Sequence, residues 1–380
     1  MRILKQTLKK IIIFFLSIKN IILFESLPDL SDNTKAVFDE MLRRGINKKY
    51  KLVWSVSDLN NKKSIKNVVY IDPQKNKWKW RLYTIQAKIL ISCNLFLVPQ
   101  KKEQIAFYLS HGTPIKSVRK YYTIPSKIQY AFAASEGVKN IYAQEFNFDA
   151  SRISCLGYPR NDVFTEPKKE IKQFLKADYE KVIVWYPTFR QHKCGTKTGA
   201  SKSLPILHNA KNAVELNKCA KRNNILIVLK PHFAQDICYI QDLGLSNIRF
   251  IDDHFFEINH ISSYEFVGSC DALITDYSSI YYDFTLCDKP IAAIWEDIEE
   301  YKINPGLIDN YEFLMKGAEK IYTLEELEQF IENISKNIDL LKKERNEIKN
   351  LVNYSDDGNN AERVVDFIIE KSKLRKGTNK

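Results

Sequence analysis

Two histidines in this 380-residue chain each follow a short apolar segment that predicts a buried strand. His111 comes after residues 105–109, and His232 comes after residues 225–229, two positions beyond Lys230. A neutral imidazole accepts a proton near neutral pH, and an imidazole beside an ammonium group can hold a phosphate or pyrophosphate. A structural histidine bonded to backbone is the alternative at both positions. The Gly-Thr pair and the basic run that follow His111 favour a functional role there.

A hydroxyl-rich turn is the third feature with chemical potential. Residues 272–274 predict the end of a buried strand, and Thr275 and Asp276 open the turn that follows. Ser278 and Ser279 then occupy the position expected of the N-cap of a helix. Free backbone N–H groups and the positive end of the helix dipole would make this turn an anion site. Taken alone, the same pattern also describes an ordinary capped strand–turn–helix unit.

Two arginines lie in short motifs near predicted strand ends. Arg190 closes YPTFR, and its guanidinium could bind a phosphate with two parallel hydrogen bonds. Arg160 lies in GYPRND and could hold that loop through Asp162, so we interpret the motif as mainly architectural. Asp276 and Asp283 stand seven residues apart, one on a turn and one inside a predicted helix, so we predict no metal site. The absence of a P-loop and of GxGxxG from the sequence argues against an NTPase and a nicotinamide-dependent dehydrogenase.

Composition describes a globular, strongly basic protein. Hydrophobic residues make up 44% and charged residues 27%, and the length favours two domains. The net charge of +12 predicts an anionic partner. A nucleic-acid-binding protein is one such alternative, but only the charge supports it, and no nucleic acid is expected. The scattered cysteines predict a reducing, cytoplasmic environment: Cys93, Cys155, Cys194, Cys219, Cys238, Cys270 and Cys287.

The N-terminus is basic and apolar, with no acidic residue before Glu25. Its apolar run IIIFFLSI is far shorter than the roughly 20 residues that cross a bilayer. A basic helix on an anionic membrane surface is one interpretation, and an element packed on the core is the other. The cations concerned are Arg2, Lys5, Lys9, Lys10 and Lys19.

Short apolar segments alternate with segments of helical spacing along most of the chain. This alternation is typical of doubly wound parallel sheets, whose ligands bind at the carboxyl ends of the strands. The polar stretch TEPKKEIKQ predicts a boundary, which gives domains at 1–168 and 169–380. Residues 252–270 look irregular, and the chain beyond residue 323 is predicted helical.

Five motifs occur in order: HGTPIK at 111–116, GYPRND at 157–162, YPTFR at 186–190, KPH at 230–232 and DYSS at 276–279. Together they resemble the CDP-glycerol glycerophosphotransferase family, the polymerases and primases of teichoic acids and related capsule polymers. Each motif alone is weak, but five in register are specific. The resemblance covers about residues 20–300. Phe233 departs from it, since many relatives have proline after the second histidine.

The resemblance implies an α/β fold of the GT-B-like class, with two Rossmann-like domains facing a central cleft. It implies a transferase that moves an alditol phosphate from a CDP-linked donor to a hydroxyl of a membrane-linked acceptor and releases CMP. His111 would be the general base in the acceptor-side domain. His232, Arg190 and the Ser278-Ser279 helix end would hold the diphosphate in the donor domain. The substrate-binding residues implied are Gly112, Thr113, Lys116, Thr188, Arg190, Lys230, Thr275, Asp276, Ser278 and Ser279.

The expected partners are CDP-glycerol or CDP-ribitol, a lipid-linked polyol-phosphate or glycan acceptor and an anionic membrane surface. Family membership would place the protein peripherally on the cytoplasmic face of the membrane. No cofactor is indicated, and assistance by Mg²⁺ is left open, as are the alditol and the choice between primase and polymerase. The alternative enzyme is a glycosyltransferase or sugar epimerase of the same architecture that uses a UDP-sugar.

Overall fold

The computed structural model describes residues 15–60, 62–176, 178–189, 203–232 and 235–373. The chain divides into two compact units, and the elements and contacts given for them are those of the described residues. Unit 1 draws on Met1–Thr113, Arg119–Asp162 and Tyr354–Lys380, and unit 2 on Pro114–Val118 and Val163–Asn353. The main switch between the units falls at 162/163, whereas the predicted boundary is 168/169, and the division differs from the prediction in two further places. The C-terminal helix lies in unit 1, and a five-residue segment shortly after His111 lies in unit 2.

Unit 1 is built on a seven-stranded parallel sheet in the order β3-β2-β1-β4-β5-β6-β7. Its strands are β1 Lys19–Glu25, β2 Lys51–Ser55, β3 Val68–Ile71, β4 Ala87–Ser92, β5 Ile105–Tyr108, β6 Tyr130–Ala133 and β7 Ile153–Cys155. Its helices are α1 Asp32–Arg43, α2 Lys77–Gln86, α3 Glu136–Glu145 and, from the C-terminus, α14 Asn360–Ser372.

The core of unit 1 explains why the C-terminal helix belongs to it. Phe24 on β1 stacks on Trp54, with ring centroids 5.5 Å apart, and meets the edge of Phe38 from α1. Phe367 of α14 packs edge-on against Phe132 at 5.5 Å. Aromatic pairs at these separations contribute beyond the area they bury. Helix α14 therefore covers the sheet of unit 1.

Unit 2 has a six-stranded parallel sheet in the order β10-β9-β8-β11-β12-β13. Its strands are β8 Lys181–Trp185, β9 Ile225–Leu229, β10 Ile248–Phe250, β11 Ala272–Thr275, β12 Ile291–Ile294 and β13 Glu319–Ile321. The helices are α4 Ile171–Leu175, α5 Ala210–Arg222, α6 Cys238–Gln241, α7 Asp253–Asn259, α8 Ser263–Ser269, α9 Ile280–Phe284, α10 Ile298–Ile303, α11 Tyr311–Leu314, α12 Leu324–Ser335 and α13 Lys342–Val352.

The predicted α/β class is confirmed, but the irregularity expected of residues 252–270 is wrong. Two helices, α7 and α8, occupy that segment. Asp252 caps α7, and Ser262 forms a capping box with Glu265 at the start of α8. Caps of this kind satisfy the first N–H groups of a helix and stabilise even short ones.

The strand order defines where a ligand would bind in each sheet. In unit 1 the chain runs outward from β1 to one side and from β4 to the other, so the order reverses between these two strands. In unit 2 it reverses between β8 and β11. Open parallel sheets bind ligands at the carboxyl ends of the strands beside such a reversal. Within the described ranges no helix is long and apolar enough to cross a membrane.

Glu319 on the edge strand β13 should make the stability of the protein depend on pH. Burial, assisted by nearby Asp339, raises the pKa of Glu319 from 4.5 to about 7. The folded state therefore binds this proton more tightly than the unfolded state, and stability is lost as pH rises from 4.5 through 7. We expect Glu319→Gln to raise the free energy of unfolding by about 2 kcal/mol at pH 8 and by much less at pH 5.

Thermal unfolding at the two pH values measures this effect, with Glu325→Gln, on an exposed position of α12, as the control. An equal gain at pH 5 and pH 8 would contradict the assignment.

Candidate active site

The loop after β5 carries His111 in an unusual backbone conformation. Ser110 is fully buried with a φ of +60°, and Gly112 has a φ of +137°. The Ser110 hydroxyl donates to the carbonyl of Gly112 at 3.2 Å. A non-glycine residue in the left-handed region costs free energy that surrounding contacts must offset, and such residues cluster at functional sites. The chain thus turns sharply so that His111 is exposed at the carboxyl edge of the sheet.

A backbone contact sets the protonation pattern of the His111 ring. Its Nδ1 lies 3.4 Å from the carbonyl oxygen of Cys93, which follows β4. Because a carbonyl only accepts hydrogen bonds, the proton of the neutral ring lies on Nδ1 in this contact. The lone pair is then on Nε2, as a general base requires.

Arg160 holds the backbone of His111 from the inside of unit 1. Its Nη1 donates to the carbonyl of His111 and to Oδ1 of Asp32, each at 2.7 Å. The Arg160 side chain is 5% exposed. Charge-assisted bonds in such a buried setting are strong. The GYPRND motif is therefore architectural, as the sequence indicated, and acts through Asp32 and the histidine loop.

Asn33 completes this contact between distant parts of the chain. Its side-chain amide donates to the carbonyl of Ser110 at 2.8 Å, and its Oδ1 accepts from the backbone N–H of Arg160 at 3.1 Å. Asn33 is fully buried. The sequence alone assigns Asn33 no role. The one signal was the polar run at residues 31–33, where α1 begins after the loop that follows β1.

Glu25 lies at the strand-order reversal of unit 1 and was also missed. Its carboxylate accepts from the N–H groups of Asn94 at 3.2 Å and Leu95 at 2.9 Å. Burial raises the pKa of Glu25, and these backbone bonds oppose the shift. Since Cys93 precedes these two residues, Glu25 positions the loop whose carbonyl contacts His111.

The predicted residues that follow His111 separate between the two units. Thr113 is buried in unit 1, with its hydroxyl 3.4 Å from that of Tyr158. Lys116 lies in unit 2, where it pairs with Leu307 in an antiparallel β-bridge. There it contributes to lowering the pKa of His232.

At the strand-order reversal of unit 2, Asp276 binds two loops together. Its carboxylate accepts from the backbone N–H of Thr188 at 2.8 Å, from the Thr188 hydroxyl and from the N–H of Tyr277 at 2.6 Å. The hydroxyl of Thr275 donates to the carbonyl of Tyr186 at 3.0 Å. Asp276 and Thr275 are almost fully buried. Their side chains therefore shape the edge of the sheet by fixing the loop after β8 to the loop after β11.

Ser279 occupies the N-cap of α9 as predicted, but its side chain does not cap the helix. Its backbone is helical, with φ −60° and ψ −17°. A capping side chain needs an extended backbone to reach the N–H groups of the first turn. The expected cap is thus wrong in this respect, and α9 is only five residues long. Ser278 and Ser279 are half-buried beside Asp276.

His232 follows β9 on the same edge and is exposed. Its ring centroid lies 4.9 Å from that of Phe189. Partial burial lowers the pKa of His232, and the nearby charge of Lys230 lowers it further. The Lys230 ammonium lies 3.0 Å from Asp253. A neutral imidazole between cationic groups can donate a hydrogen bond to a phosphate oxygen while the cations supply the opposing charge.

Arg190 and Phe233 lie outside the described residues, as do residues 1–14 of the basic N-terminus. Within the described ranges, no three His, Cys, Asp or Glu side chains come together in the way a metal site needs. The described sheet edges thus carry an exposed imidazole in unit 1, and an exposed imidazole near an ammonium group in unit 2.

Residues 8–370 match the family model described as CDP-glycerol:poly(glycerophosphate) glycerophosphotransferase. The teichoic acid glycerol-phosphate primase of Bacillus subtilis is 24% identical over 373 residues, covering 88% of each chain. The teichoic acid poly(glycerol phosphate) polymerase of Bacillus spizizenii is 26% identical over 338 residues, covering 80% of this chain and 82% of the relative.

A solved structure shows the same fold. The wall teichoic acid polymerase TagF superposes with a TM-score of 0.75 at 22% identity, covering 94% of this chain and 90% of that one. At this identity the likeness concerns the fold.

Proposed function

Since the chain belongs to the CDP-glycerol:poly(glycerophosphate) glycerophosphotransferase family, we propose that it transfers glycerol phosphate, or a related alditol phosphate, from a CDP-alditol to an acceptor hydroxyl. CMP is the other product. The acceptor is a membrane-linked teichoic-acid-like or capsule polymer. We assign unit 1 to the acceptor and unit 2 to the CDP donor, in a GT-B-like enzyme.

In the proposed reaction, Nε2 of His111 takes the proton of the acceptor hydroxyl. The oxygen forms a bond to the β-phosphorus of the donor, and the bond from that phosphorus to the bridging oxygen breaks. The electron pair of the broken bond leaves with CMP. Positioning and electrostatic stabilisation are sufficient for phosphoryl transfer of this kind, and no covalent protein intermediate is required.

His232, Lys230 and Lys116 are proposed to bind the diphosphate and to stabilise the charge that develops on CMP. Thr188, held by Asp276, offers polar groups at the same edge, as do Ser278 and Ser279. Arg190 is proposed to join them. The observation that carries the proposal is the contact between Nδ1 of His111 and the Cys93 carbonyl, because it leaves the basic nitrogen of the ring as Nε2.

The location follows from the acceptor. We propose that the enzyme works peripherally on the cytoplasmic face of the membrane, where a CDP-activated donor meets a lipid-linked acceptor. The anionic membrane surface suits the net charge of +12.

Release of CMP tests the function directly. The purified protein is offered CDP-glycerol and CDP-ribitol in parallel, each with a glycerol-phosphate acceptor mimic. We expect acceptor-dependent CMP from one of the two donors, which also identifies the alditol. Absence of CMP from both, together with UDP release from a panel of UDP-sugars, would establish the glycosyltransferase alternative instead.

A further inference from the structure

Large apolar side chains are exposed at the carboxyl edge of the sheet in unit 1. Leu27 follows β1, Leu59 follows β2 and Leu95 follows β4, with exposed fractions of 65%, 42% and 65%. Trp78, in the first turn of the helix that follows β3, is 78% exposed. Single exposed apolar residues are normal, but several along one edge are typical of a surface that contacts a partner.

Hydrogen bonds connect three of these loops. The Asp29 carboxylate, in the loop after β1, accepts from the backbone N–H and the hydroxyl of Ser57 at 2.7 and 2.9 Å, and from the N–H of Asp58 at 3.1 Å. On the other side, the N–H of Leu27 donates to the side chain of Asn94 at 2.9 Å. The loops after β2, β1 and β4 therefore form one connected stretch.

The loop after β4, which belongs to this connected set of loops, also contacts the proposed base His111. The carbonyl of Cys93, beside Asn94, contacts the ring of His111 at 3.4 Å. The loop that carries Leu95 thus contacts His111 at this edge of unit 1, and hydrogen bonds join it, directly or in sequence, to the loops that carry Leu27 and Leu59.

The charges beside these apolar residues are mainly positive. Asp29 is half-buried, Asp58 is exposed and Asp72 is buried near Lys75. The Arg81 guanidinium lies 5.7 Å from the Trp78 ring. The cations on the segment after β2 and on and before α2 are Lys62, Lys63, Lys66, Lys75, Lys77, Lys79 and Arg81.

We propose that the surface formed by Leu27, Leu59, Trp78 and Leu95 docks onto an anionic lipid bilayer. Tryptophan favours the boundary between hydrocarbon and headgroups, and lysine and arginine beside it attract anionic headgroups. The leucines would enter the same boundary region. Charge complementarity selects an anionic bilayer as the occupant of this surface.

This inference deepens the proposed function. The docking surface is argued independently of that function, and only the statement that docking brings the acceptor to His111 rests on the proposed function. A bilayer docked here meets the loops that carry His111, so a membrane-linked acceptor hydroxyl is brought to the base. Membrane contact then does not depend on the basic N-terminus alone.

Vesicle co-sedimentation of the full chain tests the proposal. The probes are vesicles of phosphatidylglycerol with phosphatidylcholine, and vesicles of phosphatidylcholine alone. We expect the double variant Trp78→Ser, Leu59→Ser to bind the anionic vesicles roughly tenfold more weakly than the unmodified chain. Leu340→Ser, at a 60% exposed position in unit 2, is the matched control and should bind normally. The melting temperature should stay unchanged, because all three side chains are exposed.

Unchanged binding by the double variant would overturn the proposal, above all if deletion of residues 1–14 abolished binding. Equal binding of the unmodified chain to both kinds of vesicle would also overturn it. CMP release with a water-soluble acceptor is measured alongside and should be the same in the double variant. If the unmodified protein released no CMP yet bound vesicles through these residues, the proposed function would fail and the docking surface would stand.

Discussion

Replacing His111 with alanine should lower kcat by about a thousandfold while leaving the affinity for the CDP donor nearly unchanged. The reason is that the imidazole acts on the proton of the acceptor hydroxyl, whereas the groups proposed to bind the donor lie in unit 2. The ring is exposed at the sheet edge, so its loss leaves the core of unit 1 intact. Steady-state CMP release and donor binding by calorimetry measure the two quantities separately.

His232→Ala is the matched control, because it removes the same ring from the proposed donor site. It should weaken donor binding, which His111→Ala should not do. If His111→Ala abolished donor binding instead, the assignment of this residue to the acceptor would be wrong.

Replacing Arg160 with alanine should have the second largest effect, although the side chain is proposed to touch no substrate. The change removes the guanidinium that joins Asp32 to the carbonyl of His111 and leaves the Asp32 carboxylate without this bond. Breaking a buried ion pair costs about 3 kcal/mol. The loop that carries His111 then loses its anchor, and misplacement of a catalytic group by about 1 Å costs on the order of a hundredfold in rate. We therefore expect both a lower free energy of unfolding and a lower kcat, with the KM for the donor unchanged.

Arg43→Ala is the control, which tests whether the loss of another arginine from unit 1 lowers the free energy of unfolding and kcat to the same extent. Arg43 belongs to the same unit and pairs with Glu40, but its side chain is 65% exposed, so its ion pair contributes little. Denaturant unfolding and kcat are compared well below the unfolding transition. The fraction of kcat lost in Arg160→Ala is compared with the fraction of that variant that is unfolded. If the first is no larger than the second, Arg160 stabilises unit 1 without positioning His111.

Much of the fold could be predicted from the sequence. The predicted strands at 105–109, 225–229 and 272–274 correspond to β5, β9 and β11. Parallel strands buried on both faces are nearly continuous apolar runs, so the signal is local and strong. β13 gave no such signal, because its three residues, Glu319–Ile321, include two charged side chains.

The candidate site was predictable only in part. His111 and His232 stood out because each follows an apolar strand, and parallel strands deliver such residues to one edge of a sheet. Asn33 did not stand out, since its partner Arg160 lies 127 residues away in the chain. Asp276 was predicted to bind substrate, and its buried carboxylate is found holding Thr188. Burial and hydrogen-bond partners of this kind depend on contacts between distant segments.

By itself, the sequence determined most of the strands, most of the longer helices, the parallel sheets and the two histidines at strand ends, because each follows from a local pattern of apolar and polar residues. Only the tertiary structure decided which residues act together. Lys116 stands five positions after His111, yet it belongs to unit 2 and acts on the pKa of His232. The C-terminal helix α14 likewise covers the first sheet. Packing and hydrogen bonding select partners by distance in space, which separation along the chain does not encode.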